Sequence, residues 1–296
     1  MRIVVSGASG LIGTALVPAL RGAGHEVVRL VRRRPTAGDE VEWDPAAGTI
    51  DRGGLAGADA IVNLSGANLD VRWTDGAKRE ILESRTMTTG LLARVAAELD
   101  PRPAALVCAG GVGVYGDRGD EILTEEDEHG GGFLADVMRQ TEAASAPARA
   151  AGVRVVHFRQ GIVLSREGGA LRRMLPFFRM GVGGPVGNGT QWLCWVSRPD
   201  AVAAYRFALE RDLEGPVNVV SPNPVTSKQF ARALGKALRR PAVLPAPGFA
   251  IRMLFGQKGE EVLLYGQRAL PAKLLDAGFE FEAPTIDVGL DLALTE

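Results

Sequence analysis

Over the first 160 residues, short apolar runs rich in β-branched residues alternate with longer segments in which apolar residues recur at helical spacing. A short unbroken apolar run bounded by turn residues is typical of a strand buried on both faces. Such runs predict strands over residues 2–7, 25–33, 59–66, 104–110 and 153–159. The helical spacing predicts helices over residues 11–24, 74–99 and 133–152. Strands separated by helices predict an α/β fold, a Rossmann-type doubly wound parallel sheet covered on both faces.

The pattern loosens after about residue 165. We predict a glycine-rich loop over 181–190, a short aromatic strand over 191–197 and a proline-rich connector over 241–248. Three helices are predicted over 199–210, 226–238 and 270–278. We therefore expect a Rossmann domain over residues 1–165, to which later segments return. A smaller substrate lobe is expected over residues 166–296.

The stretch VSGASGLIG carries the first chemical signal, because Gly7, Gly10 and Gly13 are spaced three apart between a predicted strand and a predicted helix. In that setting, glycines permit a tight turn and let backbone N–H groups approach a pyrophosphate at the helix N-terminus. The alternative is a plain strand–helix turn, which needs fewer glycines. The context favours a dinucleotide site.

The end of the second predicted strand bears on the choice of cofactor. A cofactor without a 2′-phosphate usually meets an acidic residue there, about 20 positions after the glycines. This chain instead has Arg32, Arg33 and Arg34, with no acid before Asp39. Arginines can bind a 2′-phosphate through two parallel hydrogen bonds, although a solvated charge run is the alternative. The sequence predicts NADP(H).

Composition excludes several classes of protein. Hydrophobic residues make up 46% and charged residues 23% of the chain, and the formal net charge is −1. Without a global basic field, no nucleic acid or anionic membrane is expected as a partner. Two cysteines and three scattered histidines predict neither a disulfide framework nor a metal site. With no signal-like N-terminus and no long apolar run, we expect a cytoplasmic protein.

Longer motifs resemble those of a known family. They are DAIVNLSG, RWTDGAKREILESRTMTTGLL, YGDRGDEILTEED, MLPFFRMGVGGPVGNGTQWLCWV and GPVNVVSPNPVTSKQFARALGKALRRP. Together with the glycine loop they resemble, in order and over nearly the whole chain, the epimerase-family oxidoreductases, an atypical branch of the extended short-chain dehydrogenase/reductases. The resemblance implies NADP(H), a small substrate lobe and a distinctive C-terminal segment from about residue 245. It implies no particular substrate.

The resemblance and the motifs together assign cofactor contacts. These fall on Gly7, Ser9, Gly10, Leu11, Ile12, Gly13, Arg32, Arg33, Leu64, Ser65, Gly66, Glu80, Arg85 and Ile162. For Glu80 and Arg85, the residues alone indicate an ordinary exposed helix pair.

Catalytic groups are harder to assign. Active relatives in the superfamily use Tyr-x-x-x-Lys, but here Leu134 and Met138 stand at those positions. Tyr115 is the best surviving candidate for a proton-transferring group, followed by Ser197 and Cys194. Cys194, Trp195 and Ser197 are candidates for the substrate pocket, with Ser197 replacing a histidine that is common in the family. The acidic residues after Tyr115, at 117–127, are interpreted as a solvated loop.

Three functions stay open. The first is an NADP(H)-binding oxidoreductase that transfers hydride to or from an unknown small carbonyl or alcohol. The second is a regulatory protein, for redox sensing or cell division, that binds NADP(H) with little turnover. The third is a nucleotide-sugar epimerase. The sequence names no substrate, no reaction direction and no oligomeric state.

Overall fold

A computed structural model describes all residues from 1 to 296. The chain forms two compact units built from interleaved segments. Unit 1 comprises Met1–Gly110, Val137–Phe158 and Tyr205–Pro216, and unit 2 comprises Gly111–Asp136, Arg159–Ala204 and Val217–Glu296. The structure thus divides the chain differently from a single boundary near residue 165.

Fourteen strands are present. They are β1 (Arg2–Ser6), β2 (Glu26–Val31), β3 (Glu40–Asp44), β4 (Thr49–Ile50), β5 (Ala60–Asn63), β6 (Ala105–Gly111), β7 (Ile122–Leu123), β8 (Arg154–Gln160), β9 (Ile162–Leu164), β10 (Trp192–Leu193), β11 (Trp195–Ser197), β12 (Gly215–Val219), β13 (Val225–Thr226) and β14 (Arg268–Ala269).

Ten α-helices accompany them. They are α1 (Gly13–Gly22), α2 (Asp75–Glu98), α3 (Phe133–Ala143), α4 (Ala146–Ala150), α5 (Gly169–Arg179), α6 (Arg198–Glu210), α7 (Ser227–Leu238), α8 (Gly248–Gly259), α9 (Ala272–Asp276) and α10 (Ile286–Thr295). No helix combines the length and the apolar character that crossing a bilayer requires.

The main sheet has eight strands in the order β12-β8-β6-β5-β1-β2-β3-β4. Strand β1 pairs in parallel with β2 and β5, and β2–β3 and β5–β6 are also parallel. Because β1 lies between β2 and β5, the chain leaves β1 in one direction along the sheet and later returns on the other side. The loops after β1 and β5 therefore lie at the switch point where open α/β sheets bind ligands. The predicted Rossmann-type fold is confirmed.

Local sequence explains the start of helices α2 and α7. The Thr74 hydroxyl accepts from the Ala77 amide and caps α2. Thr226 and Gln229 form a reciprocal capping box at α7. Each unit has its own buried core, represented in unit 1 by Val4, Ile61, Leu92 and Leu106 and in unit 2 by Leu164, Phe178, Trp195 and Phe230.

Several elements escape prediction from the sequence. The predicted helix over 133–152 is two helices, α3 and α4, with a break before Pro147. The predicted strand over 191–197 is two short strands on different sheets, because β10 pairs with β13 and β11 pairs with β9. Helices α5, α8 and α10 and strands β3 and β12 were not among the predicted elements.

Candidate cofactor-binding site

The glycine loop packs directly against the end of β5. Gly7 has a φ of +69°, and a Cβ built there would lie 2.7 Å from the carbonyl carbon of Leu64. A Cβ on Gly13 would lie 2.5 Å from the carbonyl oxygen of Gly7. Both contacts are shorter than any side chain tolerates. These two glycines are therefore required by the fold of unit 1 itself.

Gly10 is different, because the fold constrains it less than Gly7 and Gly13. It is exposed, its φ is ordinary, and a Cβ there would have one near neighbour, the Gly7 carbonyl oxygen at 3.3 Å. Its amide donates to Gly7 O over 3.0 Å, and its carbonyl accepts from the Thr14 amide over 2.9 Å. The missing side chain instead leaves the outer face of the loop clear. A glycine at this point suits close approach of a ligand to the backbone.

The N-terminal end of α1 presents free donors beside Gly10. The amides of Leu11, Ile12 and Gly13 have no acceptor within the chain, as expected for the first turn of a helix. The helix dipole adds partial positive charge at the same end. This combination favours an anion such as a pyrophosphate.

A buried polar network fixes the strand ends beneath the loop. The Ser6 hydroxyl donates to Asn63 Oδ1 over 2.6 Å, and the Ser65 amide donates to the same oxygen over 3.2 Å. Asn63 Nδ2 in turn donates to the Thr89 hydroxyl over 3.1 Å. Asn63 therefore ties β1, β5 and α2 together, and keeps Leu64 and Ser65 in place against Gly7.

Neighbouring arginines after β2 have different environments. Arg33 donates from both terminal nitrogens to the Glu40 carboxylate, over 2.9 and 2.7 Å, and this pairing is the main reason that the pKa of Glu40 falls to about 2. Arg32 is exposed and makes no ion pair. Of these two predicted cofactor residues, the structure therefore leaves Arg32 with an uncommitted charge.

Arg85 also carries a charge without a carboxylate partner. Its Nη1 donates to the carbonyls of Ala67 and Ile81, both over 3.1 Å, and its guanidinium lies against Gly66, where a Cβ would be 2.9 Å from Cζ. Burial lowers the pKa of Arg85 to about 10. Glu80 is exposed and has no contact with it. The two residues do not form the exposed helix pair that the residues alone indicated.

Ile162, the last predicted cofactor residue, belongs to unit 2. Its amide donates to the Cys194 carbonyl over 2.8 Å, where β9 runs parallel to β11. A Cβ on the preceding Gly161 would lie 2.6 Å from that same carbonyl oxygen. Glycine is therefore required at 161 by strand packing, and Ile162 is half-buried.

Tyr115 lies at the centre of a buried polar cluster in unit 2. Arg159 Nη1 donates to its hydroxyl over 3.0 Å. The hydroxyl hydrogen has two acceptors at 2.8 Å, Thr124 O and Asn218 Oδ1. The side chain has no exposed surface, and burial is the main reason that the pKa of Tyr115 is raised. The phenol therefore stays protonated at neutral pH.

The cluster extends beyond the tyrosine. Arg159 is itself buried and donates to His129 Nε2 over 3.0 Å. Glu125 Oε1 accepts from the Asn218 amide over 2.9 Å, and burial raises the pKa of Glu125. The interpretation of the acidic run as a solvated loop is wrong for Glu125, because this side chain faces inward. The sequence offered one signal for this cluster, because Arg159 is a charged residue at the end of the strand predicted over 153–159.

The three predicted pocket residues are buried and have partners within unit 2. The Cys194 thiol donates to Gln267 O over 3.0 Å, and burial raises the pKa of the thiol to about 12. Trp195 Nε1 donates to Asn223 O over 3.1 Å. The Ser197 hydroxyl donates to Asp200 at the start of α6 over 2.7 Å. The assignment of these residues to a substrate pocket stays a prediction.

The start of α3 holds a carboxylate that the sequence did not indicate. The two oxygens of Glu261 accept from the amides of Phe133 and Leu134, both over 2.9 Å, and the side chain is buried. Glu261 therefore caps α3, the helix that contains Leu134 and Met138. Because Glu261 follows 127 positions after Leu134, no local pattern could have revealed this contact.

The sheet order and the glycine loop define a Rossmann-type protein of the class that binds dinucleotides. Residues 3–220 match the NAD-dependent epimerase/dehydratase family, and residues 246–291 match a domain of unknown function, DUF1731. The chain belongs to this epimerase/dehydratase family. The predicted family and its C-terminal segment from about residue 245 are confirmed.

Three similar proteins illustrate the relationship. An epimerase family protein of Mycobacterium bovis is 44% identical over 295 residues, which cover 99% of this chain and 97% of the relative. The crystal structure of human epimerase family protein SDR39U1 (isoform 2) with NADPH has 34% identity and a TM-score of 0.91, with full coverage of both chains. A nucleoside-diphosphate sugar epimerase from Corynebacterium glutamicum has 36% identity and a TM-score of 0.79, over 98% of this chain and 58% of that one.

Proposed function

We propose that this protein is an NADP(H)-dependent oxidoreductase that acts on a small carbonyl or alcohol. The observation that carries the proposal is the pairing of free amides at the start of α1 with the uncommitted charge of Arg32 after β2. The NADPH bound to the human relative, which is similar over its full length, supports the same cofactor.

Each of these groups has a distinct task in the proposal. The amides of Leu11, Ile12 and Gly13 hold the pyrophosphate, and Gly10 keeps the loop clear of side-chain atoms. Arg32 pairs with the 2′-phosphate through a charge-assisted hydrogen bond. The backbone at Leu64 and Ser65, held by Asn63, forms a further wall. The bound cofactor supplies hydride chemistry, while the chain supplies position and polarity.

On the substrate side, we propose Tyr115 as a hydrogen-bond donor. Leu134 and Met138 of α3 cannot exchange a proton, whereas the Tyr115 phenol can donate one. Its raised pKa suits donation better than proton abstraction. Its side chain is fully buried and its hydrogen is bound to Thr124 or Asn218, so donation to a substrate requires the cluster to open and that bond to be exchanged. Slow reduction is the expected chemistry.

The same observation favours a second candidate, a protein that binds NADP(H) and regulates through that binding with little turnover. In this candidate, Tyr115 and Arg159 serve the fold of unit 2. The two candidates share the cofactor site and differ in turnover. NADPH consumption against a panel of aldehydes, ketones and quinones separates them: measurable turnover on any substrate supports the oxidoreductase, and none supports the regulator.

The cofactor assignment has its own test in a pair of neighbouring variants. Arg32→Ala removes the uncommitted charge and is expected to weaken NADPH binding by about tenfold to a hundredfold, with NADH binding unchanged. Arg33→Ala, whose guanidinium is held by Glu40, is the matched control and is expected to change NADPH affinity less. Fluorescence titration of both reduced cofactors measures this. Equal affinities of the parent for NADH and NADPH would contradict the proposal.

A further inference from the structure

Positive charge is concentrated in one part of unit 2. Residues 215–259 contain seven lysines and arginines and no aspartate or glutamate, although the whole chain has a formal net charge of −1. A net charge near zero therefore conceals a segment whose charged side chains are all positive, although Arg252 pairs with Glu260 just outside it. Such a segment attracts anionic partners that the average charge gives no reason to expect.

Four of these seven cations line a groove along α7. Lys228, Arg232 and Lys236 recur every four residues and so share one face of the helix. With Arg240 they line a groove of about 510 Å³, whose remaining walls come from small and apolar residues such as Pro185 and Val243. Lys236 pairs with Asp287 over 3.0 Å. Lys228 and Arg232 have no carboxylate partner.

Next to this groove, the chain exposes large apolar side chains. The exposed fraction is 73% for Val243, 69% for Phe249, 80% for Met253 and 73% for Leu254. Helix α8 buries only one large side chain, that of Ile251. A helix with apolar residues on all sides is normally covered, so this exposed surface indicates a partner.

The apolar residues are held in place. The amides of Leu244 and Ala246 donate to Gly183 O over 3.3 Å and to Pro185 O over 2.9 Å. These bonds fix the connector from residue 241 to 247 along the glycine-rich loop that also borders the groove. The basic groove and the start of α8 are thus joined by ordered chain.

We propose that α7, the connector 241–247 and α8 form a docking surface for an anionic phospholipid membrane. Lysines and arginines beside exposed Phe, Met and Leu match a bilayer surface, which offers anionic headgroups above an apolar layer. A symmetric contact with a second copy brings the same patch against itself, and the like charges on α7 oppose it. This surface shares no residue with the proposed cofactor site.

Vesicle co-sedimentation of the full chain tests the proposal. The parent is mixed with phosphatidylcholine vesicles and with vesicles of equal parts phosphatidylcholine and phosphatidylglycerol. We expect binding to the anionic vesicles alone, weakened at high salt. The double variants Met253→Glu/Leu254→Glu and Lys228→Glu/Arg232→Glu are each expected to weaken it by about tenfold or more.

Single-residue controls place substitutions of the same type elsewhere. Leu275→Glu replaces an exposed leucine of α9, and Arg79→Glu replaces an exposed arginine of α2. Both are expected to bind like the parent, and circular dichroism verifies that every variant is folded. Three results overturn the proposal: no binding to anionic vesicles, equal loss in the controls, or no loss in either double variant. Light scattering can give a fourth such result. If the parent is a dimer and Met253→Glu/Leu254→Glu is a monomer, the patch is an interface with a second copy of the chain.

Discussion

At the scale of single residues, the immediate partners decide which polar groups are available for chemistry. Arg32 and Arg33 are neighbours of the same type, yet Glu40 holds Arg33 and leaves Arg32 uncommitted. Cys108 and Cys194 are buried in apolar surroundings, which raises the pKa of each thiol to about 12. Neither thiol is a nucleophile at neutral pH.

Tyr115→Phe removes a hydroxyl that Arg159 and Asn218 both use. Because a buried donor and acceptor lose a partner, we expect the free energy of unfolding to fall by about 1–3 kcal/mol. Urea denaturation measures this, with Tyr265→Phe as the control, since the Tyr265 hydroxyl has no partner within the chain. If turnover is found, Tyr115→Phe is also expected to reduce it. Unchanged stability would show that the buried cluster contributes little to the fold.

At the scale of elements, the loop between β1 and α1 separates residues needed for folding from those needed for binding. Gly7 and Gly13 meet backbone atoms at distances that exclude any side chain, whereas Gly10 faces outward. The same sequence motif therefore contains two kinds of glycine. Only the contacts with Leu64 and within the loop distinguish them.

Gly10→Val is expected to abolish NADPH binding and leave the fold intact, because a branched side chain would occupy the space of the pyrophosphate. Gly22→Val, at the other end of α1 with no atom near its Cβ position, is the control and is expected to bind normally. Cofactor titration and circular dichroism are the measurements. Normal binding by folded Gly10→Val would reduce the loop to a structural turn.

The contribution of the ion pair between Arg33 and Glu40, beside β2 and β3, to the stability of the fold is expected to depend on pH. Glu40 has a pKa of about 2 in the fold and an ordinary value of 4.5, so its stabilising effect is complete above pH 4.5 and is lost as pH falls toward 2. Arg33→Ala is therefore expected to lower stability at neutral pH, with a difference from the parent that shrinks below pH 4.5. Urea denaturation across pH, with the exposed Arg34→Ala as control, measures it. A difference independent of pH would contradict the role of this ion pair.

At the scale of the whole molecule, the distribution of charge matters more than its total. From a formal net charge of −1 for the whole chain, we expected no partner that needs a basic surface. Residues 215–259 nevertheless contain no acidic side chain, and three of their seven lysines and arginines lie on one face of α7. The sequence also does not show the division into two units. Each unit is built from three separate segments, so residues distant in sequence pack into the same core.

Periodicity and glycine spacing determined much of this protein by themselves. The ends of strands β1, β2, β5, β6 and β8 lie no more than three residues from the predicted bounds, because a buried parallel strand needs a continuous apolar run. The loop between β1 and α1 was predicted equally well, since its glycines and the start of the helix are close together in the sequence. These features depend on neighbouring residues, and so the sequence records them directly.

The contacts that join distant segments depend on how the whole chain packs. Glu261 caps α3 from 127 positions away, Asn218 reaches Tyr115 across 103 positions, and Glu125 turns inward to accept from Asn218. The sequence shows which side chains can bond but not which ones meet. That choice depends on the packing of the whole chain, because a buried polar group is stable only where the fold brings it a partner.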